Sequence, residues 1–332
     1  ILLGKVDAET TENMPQGAAS LEGAEFTVKY YAVQSSTDPA QAGMVPVRTW
    51  VMRTNANGFV RFDESAKVSG DDFYYMSNGD VTLPIGTITI QETKAPEGYL
   101  LNDEIFVRQI TSEGTVESVN TYNEPTIPED VIRGDLQIVK FGQDADDTTE
   151  QKTPLSGIIF SLTSKTTGEQ FEIVTDENGY ASTQQLGNPR GGLAYDTYIV
   201  RETNTPPGFK PVNDFEITIS EEGQTLYYIL EDKLIVSPVQ LVKVDATTGN
   251  TIPLADAEFQ LLDKDKNVIT MTTHYPTETV HETFKTDATG RFTLPETLTS
   301  GVYYFREVNA PNGYLLNGQD IQFEITEAHD WD

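Results

Sequence analysis

The sequence predicts an all-β chain of three tandem β-sandwich domains, and three observations predict it. One phrase is written three times: ITIQETKAPEGYLL at 88–101, YIVRETNTPPGFKP at 198–211 and YYFREVNAPNGYLL at 303–316. The glutamates within it, Glu92, Glu202 and Glu307, stand 110 and 105 residues apart, a domain length and far beyond a solenoid repeat. Between them lie short runs of β-branched and aromatic residues, punctuated by 25 Gly and 17 Pro in 332 residues, the pattern of several sandwiches. The domains are expected at 1–128, 129–235 and 236–332. The first carries insertions near 31–51 and 68–81, and the third lacks the end of its last strand.

Each repeat opens on a strand that carries a lysine. Side chains alternate across a strand, so Ile1, Leu3 and Lys5 share a face, as do Leu136, Ile138 and Lys140, and Val239, Leu241 and Lys243. A small-residue turn and an apolar strand follow: LEGAEFTV from Leu21, LSGIIFSL from Leu155 and LADAEFQL from Leu254. Next comes a polar turn closed by glycine, at Gly58, Gly179 and Gly290, which reads as a hairpin. The glutamate strand is next, with Ile88, Ile90 and Glu92 on one face, then Tyr198, Val200 and Glu202, then Tyr303, Phe305 and Glu307. After one further strand, a closing strand puts Val119, Thr121 and Asn123 on one face in the first repeat, and Tyr228, Leu230 and Asp232 in the second. Glu92 to Asn123 is 31 residues and Glu202 to Asp232 is 30, whereas the same step from Glu307 overruns the chain. The linkers, EPTIPEDVIR at 124–133 and KLIVSP at 233–238, are short and contain proline, so an elongated rod is expected.

These faces aim a lysine, a glutamate and an Asn or Asp into one core. A buried carboxylate must be neutralised or paired. Burial lowers the proton affinity of an amine and raises that of a carboxyl, so a buried pair can become neutral. A neutral amine is a nucleophile, and a neighbouring acid can polarise a carbonyl. Held in contact, the amine can attack the side-chain carbonyl at high effective molarity and form an amide. Asn123 would release ammonia and Asp232 water. On the residues alone, a hydrogen-bonded buried ion pair explains the pattern equally well.

The lysine strand, the LEGAEF turn, the ETKAPEGY box and the closing TYNEP resemble the Cna B-type domains of Gram-positive surface adhesins and pilins, and all three repeats match. The resemblance implies a prealbumin-like, Ig-like sandwich in each repeat. It also implies intramolecular isopeptide bonds catalysed by the glutamate: Lys5–Asn123 with Glu92, and Lys140–Asp232 with Glu202. Lys243 and Glu307 match without an acceptor at the family position, Asp330 being too near. The implied protein is a cell-surface stalk, wall-anchored through a C-terminal region beyond this chain, stiffened by single-turnover chemistry on itself. It is not an enzyme and needs no cofactor. Its partners would be other domains of the same surface protein and a host protein or glycan.

The rest of the sequence agrees with that. A net charge of −30 repels nucleic acid and anionic membranes. There is no cysteine, hence no disulfide or thiolate site, and no long apolar span for membrane insertion. No metal site is expected: Asp144, Asp146 and Asp147 read as a solvated acidic turn, and His274, His281 and His329 lack any motif. The alternative is a ligand-binding adhesin that uses Trp50, Phe73, Tyr74 and Tyr75 in the first-repeat insertions, although these residues are expected to pack under their own loops.

Overall fold

A computed structural model describes residues 3–110, 126–143 and 152–331. These residues form strands, turns and short 3-10 helices, with no α-helix among them.

In each repeat the glutamate strand runs down the middle of an antiparallel sheet. Gly86–Lys94 lies between Glu25–Tyr31 and Ile105–Ile110, Asp196–Glu202 between Ile159–Ser164 and Phe215–Ile219, and Gly301–Asn309 between Glu258–Leu262 and Ile321–Ile325. The lysine strand belongs to a different sheet. Leu3–Asp7 pairs with Phe59–Val60, Arg133–Gly142 with Tyr180–Ser182, and Gln240–Val242 with Arg291–Thr293. Apolar residues of both sheets meet in one core per repeat, centred on Phe26, Val28 and Ile90, on Phe160, Leu162 and Val200, and on Phe259, Leu261 and Phe305. Period-two alternation produces this, because the inward positions of these strands, such as Phe26 and Val28 or Tyr198 and Val200, are apolar and buried.

The closing strand of the second repeat, Gln224–Leu234, runs parallel to Arg133–Gly142. In the first repeat the expected closing strand, with Val119, Thr121 and Asn123, lies outside the described residues, as do Asp144, Asp146 and Asp147. The stretch expected as a linker is in part a strand. Thr126–Glu129 runs parallel to Leu3–Asp7, with Ile127 opposite Lys5 and Glu129 opposite Asp7. Proline is tolerated there because, among the described residues, the strand is the edge of its sheet. In the third repeat no strand occupies this place among the described residues.

The connections are packed. Arg133 donates to the Glu9 carboxylate from Nε at 2.8 Å and Nη2 at 2.6 Å, and Nη2 reaches Gln16 Oε1 at 2.7 Å. Ala19, Leu21, Tyr99, Val131 and Ala194 form a separate apolar cluster around that connection. At the next one, Val236–Ser237 pairs with Leu298–Thr299, and Lys210 Nζ meets Asp330 Oδ2 at 2.5 Å.

Candidate crosslinking site

Each lysine is positioned by its own hairpin glycine. The amides of Lys5, Lys140 and Lys243 donate to the carbonyls of Gly58, Gly179 and Gly290 at 2.9, 2.8 and 2.9 Å. All three glycines have positive φ, and a Cβ on Gly179 would stand 2.3 Å from the Lys140 carbonyl oxygen. Only glycine supplies that backbone and that approach together.

Each glutamate is held by the proline–glycine box that follows it. The turn brings the chain back so that an amide ten residues on donates to the carboxylate: Asn102 to Glu92 at 2.8 Å, Val212 to Glu202 at 3.3 Å and Asn317 to Glu307 at 2.7 Å. Thr205 Oγ1 also donates to Glu202, at 3.1 Å. Directly across the sheet from each glutamate is the phenylalanine of the preceding apolar strand: Phe26, Phe160 and Phe259. The lysine nitrogens sit over these rings at 4.9, 5.8 and 5.7 Å. The phenylalanines were legible in the sequence as a repeated core position, but not as the wall of a lysine site.

The three copies differ at the third group. In the second, Lys140 Nζ contacts Glu202 Oε2 at 2.7 Å and makes a shorter contact to Asp232 Oδ1, with all three side chains at 0 % exposure. Burial pushes the Asp232 carboxyl up to about 6, against the pull of the Lys140 ammonium. In the first, Lys5 Nζ contacts Glu92 and Glu129, again with no more than 1 % of any side chain exposed. Sequence reasoning missed Glu129. The signal available was its distance to the next lysine: Glu129 to Lys140 is 11 residues, as is Asp232 to Lys243. In the third, Lys243 Nζ meets Glu307 Oε1 at 2.6 Å with 15 % of the lysine side chain exposed. Asp330 pairs with Lys210 instead.

The first two sites each hold one cation and two carboxylates in a dry core, and the third holds one of each. An excess buried carboxylate is costly, and taking up a proton relieves that cost. The result is an amine donor beside a carboxyl biased toward its neutral form, with a second carboxylate fixed by a backbone amide to move protons.

The aromatic residues of the alternative reading are mostly interior. Trp50 is fully buried and Phe73 nearly so, with Phe62 packed against both rings at 5.1 and 4.8 Å, while Tyr74 lies between Tyr30 and the Arg48 guanidinium. Tyr75 is the exposed member. No cluster of metal-ligating side chains occurs among the described residues, nor any helix long and apolar enough to cross a membrane.

The model of the SpaA prealbumin-like fold domain matches the chain three times, at 2–125, 140–233 and 237–331. No curated protein matches. Among solved structures, the Bacillus anthracis TIE protein superposes with a TM-score of 0.51 at 23% identity, over 98% of this chain and 47% of that one, so the chain spans about half its length. The Streptococcal ancillary pilin gives 0.29 at 17% identity, over 98% of this chain and 94% of that one. Shaft pilin SpaA of Lactobacillus rhamnosus GG gives 0.25 at 17% identity, over 58% and 93%. With a family match over most of its length, the chain belongs to the SpaA prealbumin-like domain family and carries that domain three times in tandem.

Proposed function

We propose that this chain is a stalk segment of a Gram-positive cell-surface adhesin or pilin, stiffened by amide crosslinks that its domains form on themselves. The domains divide near residues 128 and 235 and follow one another as a rod. The observation that carries the reading is the dry triad of Lys140, Glu202 and Asp232, which joins the first and last strands of its domain.

The chemistry balances within the triad. One proton of the Lys140 ammonium passes to the Asp232 carboxylate, leaving a neutral amine and a neutral acid. The amine nitrogen attacks Cγ of Asp232. Glu202 takes a second proton from nitrogen and delivers it to the departing hydroxyl, and water leaves. Glu202 ends as it began, and two buried charges have become an amide. Proximity supplies most of the acceleration, since donor and acceptor are already in contact.

The mechanical role follows from topology. Load entering at Arg133 and leaving at Leu234 passes along the opening strand, through the bond and out through the end of the closing strand. The residues between are bypassed. A chain without cysteine thereby gains what a disulfide would provide. The partners are other domains of the same surface protein. The buried Trp50 and Phe73 weigh against a glycan platform in the first domain.

The test is the intact mass of the denatured chain with a peptide map. The expected result is Lys140 joined to Asp232 with loss of one water. A free Lys140 in the folded, purified chain would leave only buried ion pairs and remove the mechanical argument.

A further inference from the structure

We propose that the acceptor in the first domain is Glu129, so that this domain is closed by a Lys5–Glu129 amide and not by a bond to Asn123. The inference rests on the crosslink reading above and names its partner residue.

Four observations place Glu129 where Asp232 stands. Each is opposite the residue two beyond the lysine, Asp7 in one domain and Gly142 in the other. The carbonyl of each accepts from the residue three beyond the lysine, Ala8 at 2.9 Å and Gln143 at 2.9 Å. Three residues after each, an isoleucine amide donates to the glycine of the proline–glycine box, Ile132 to Gly98 at 2.8 Å and Ile235 to Gly208 at 2.9 Å. Both side chains are fully buried against their lysine nitrogens. Counting forward along the sequence from the Glu-Gly pairs at Glu113-Gly114 and Glu222-Gly223 matches Asn123 with Asp232, but counting back from the next lysine matches Glu129, because the first repeat holds six more residues between its Glu-Gly pair and that lysine. Thr126–Glu129, paired with the lysine strand, carries the second register.

The chemistry of Glu129 fits. Neither carboxylate oxygen has a hydrogen-bond partner beyond the Lys5 ion pair among the described residues. Burial pushes this carboxyl up to about 7. A dry carboxyl with no other donor is costly to keep, and amide formation removes its charge together with that of Lys5. One ammonium proton moves to the Glu129 carboxylate, the amine attacks Cδ, Glu92 carries a second proton from nitrogen to the leaving hydroxyl, and water departs.

The experiment uses the purified chain, its intact mass and a peptide map, with Glu129→Gln as the variant. Wild type is expected to lack two waters, with Lys5 joined to Glu129. A glutamine acceptor releases ammonia and yields the same amide, so matured E129Q is expected at the wild-type mass. An E129Q chain lighter by the Glu-to-Gln difference would overturn the assignment. A peptide joining Lys5 to Asn123, with loss of ammonia, would also overturn it while leaving the crosslink reading intact. Lys5 free beside a joined Lys140–Asp232 refutes this inference alone, and both lysines free refutes the crosslink reading as well. The wild-type peptide map decides even if E129Q fails to fold.

Discussion

Replacing Glu202 with Gln should keep the second domain folded and leave its bond unmade. The substitution preserves shape and an oxygen to accept from Val212, 3.3 Å away, but cannot carry the proton from Lys140 to the leaving oxygen. The expected product is heavier than wild type by one water, after correction for the substitution. The stability cost comes from the loop that the bond closes. Lys140 and Asp232 are 92 residues apart. A crosslink over such a loop is worth about 4.5 kcal/mol in the chain-entropy treatment. In a domain of this size that is a drop of about 20–35 °C in Tm. Mass spectrometry reads the bond and calorimetry reads the transition of the second domain, while the other transitions serve as internal standards. An E202Q chain that differs from wild type by the substitution alone would refute the role of Glu202. An unlinked chain that melts with wild type would refute the claim that the bond stabilises the fold.

Three further outcomes follow from the same geometry. Gly179→Ala meets the Lys140 carbonyl at 2.3 Å and should slow bond formation in a refolding time course, whereas Gly187→Ala, also at positive φ but in open space, should cost only the left-handed backbone, about 1–2 kcal/mol. Lys140→Met cannot form the bond and leaves Asp232 buried without its cation. Because burial raises this carboxyl to about 6, and losing the ammonium raises it further, the folded state binds more protons than the unfolded state above about pH 4. The stability of K140M should therefore fall as pH rises from about 4 through 6, and a Tm that rises across this window would contradict the burial argument. In the first domain, Trp50→Ala should cost about 3–5 kcal/mol in denaturant melts and Tyr75→Ala less than about 0.5, since one is buried and the other exposed.

Much of the site was readable because strand parity is rigid. Once Leu136 and Ile138 face the core, Lys140 must follow them, and Glu202 follows Tyr198 and Val200 for the same reason. The proline–glycine box was readable as a repeated signature, but its work was not. Only the folded turn shows Asn102, Val212 and Asn317 donating to the three glutamates. The aromatic rings over the lysines were hidden similarly, because Phe26 stands opposite Glu92 in an antiparallel pairing of residues 66 apart in sequence.

Repetition and alternation, both local, determined three sandwich domains and the inward lysines and glutamates. Register is not local. Two counts along the chain put different residues at the acceptor place of the first domain, and composition favoured Asn123, since the 124–133 stretch that holds Glu129 contains two prolines and reads as a linker. Tertiary structure placed Glu129 against Lys5, through the parallel pairing of Thr126–Glu129 with Leu3–Asp7 and the Ile132–Gly98 hydrogen bond. A parallel partner is selected by contacts from a remote part of the chain, and no pattern within either strand encodes that selection.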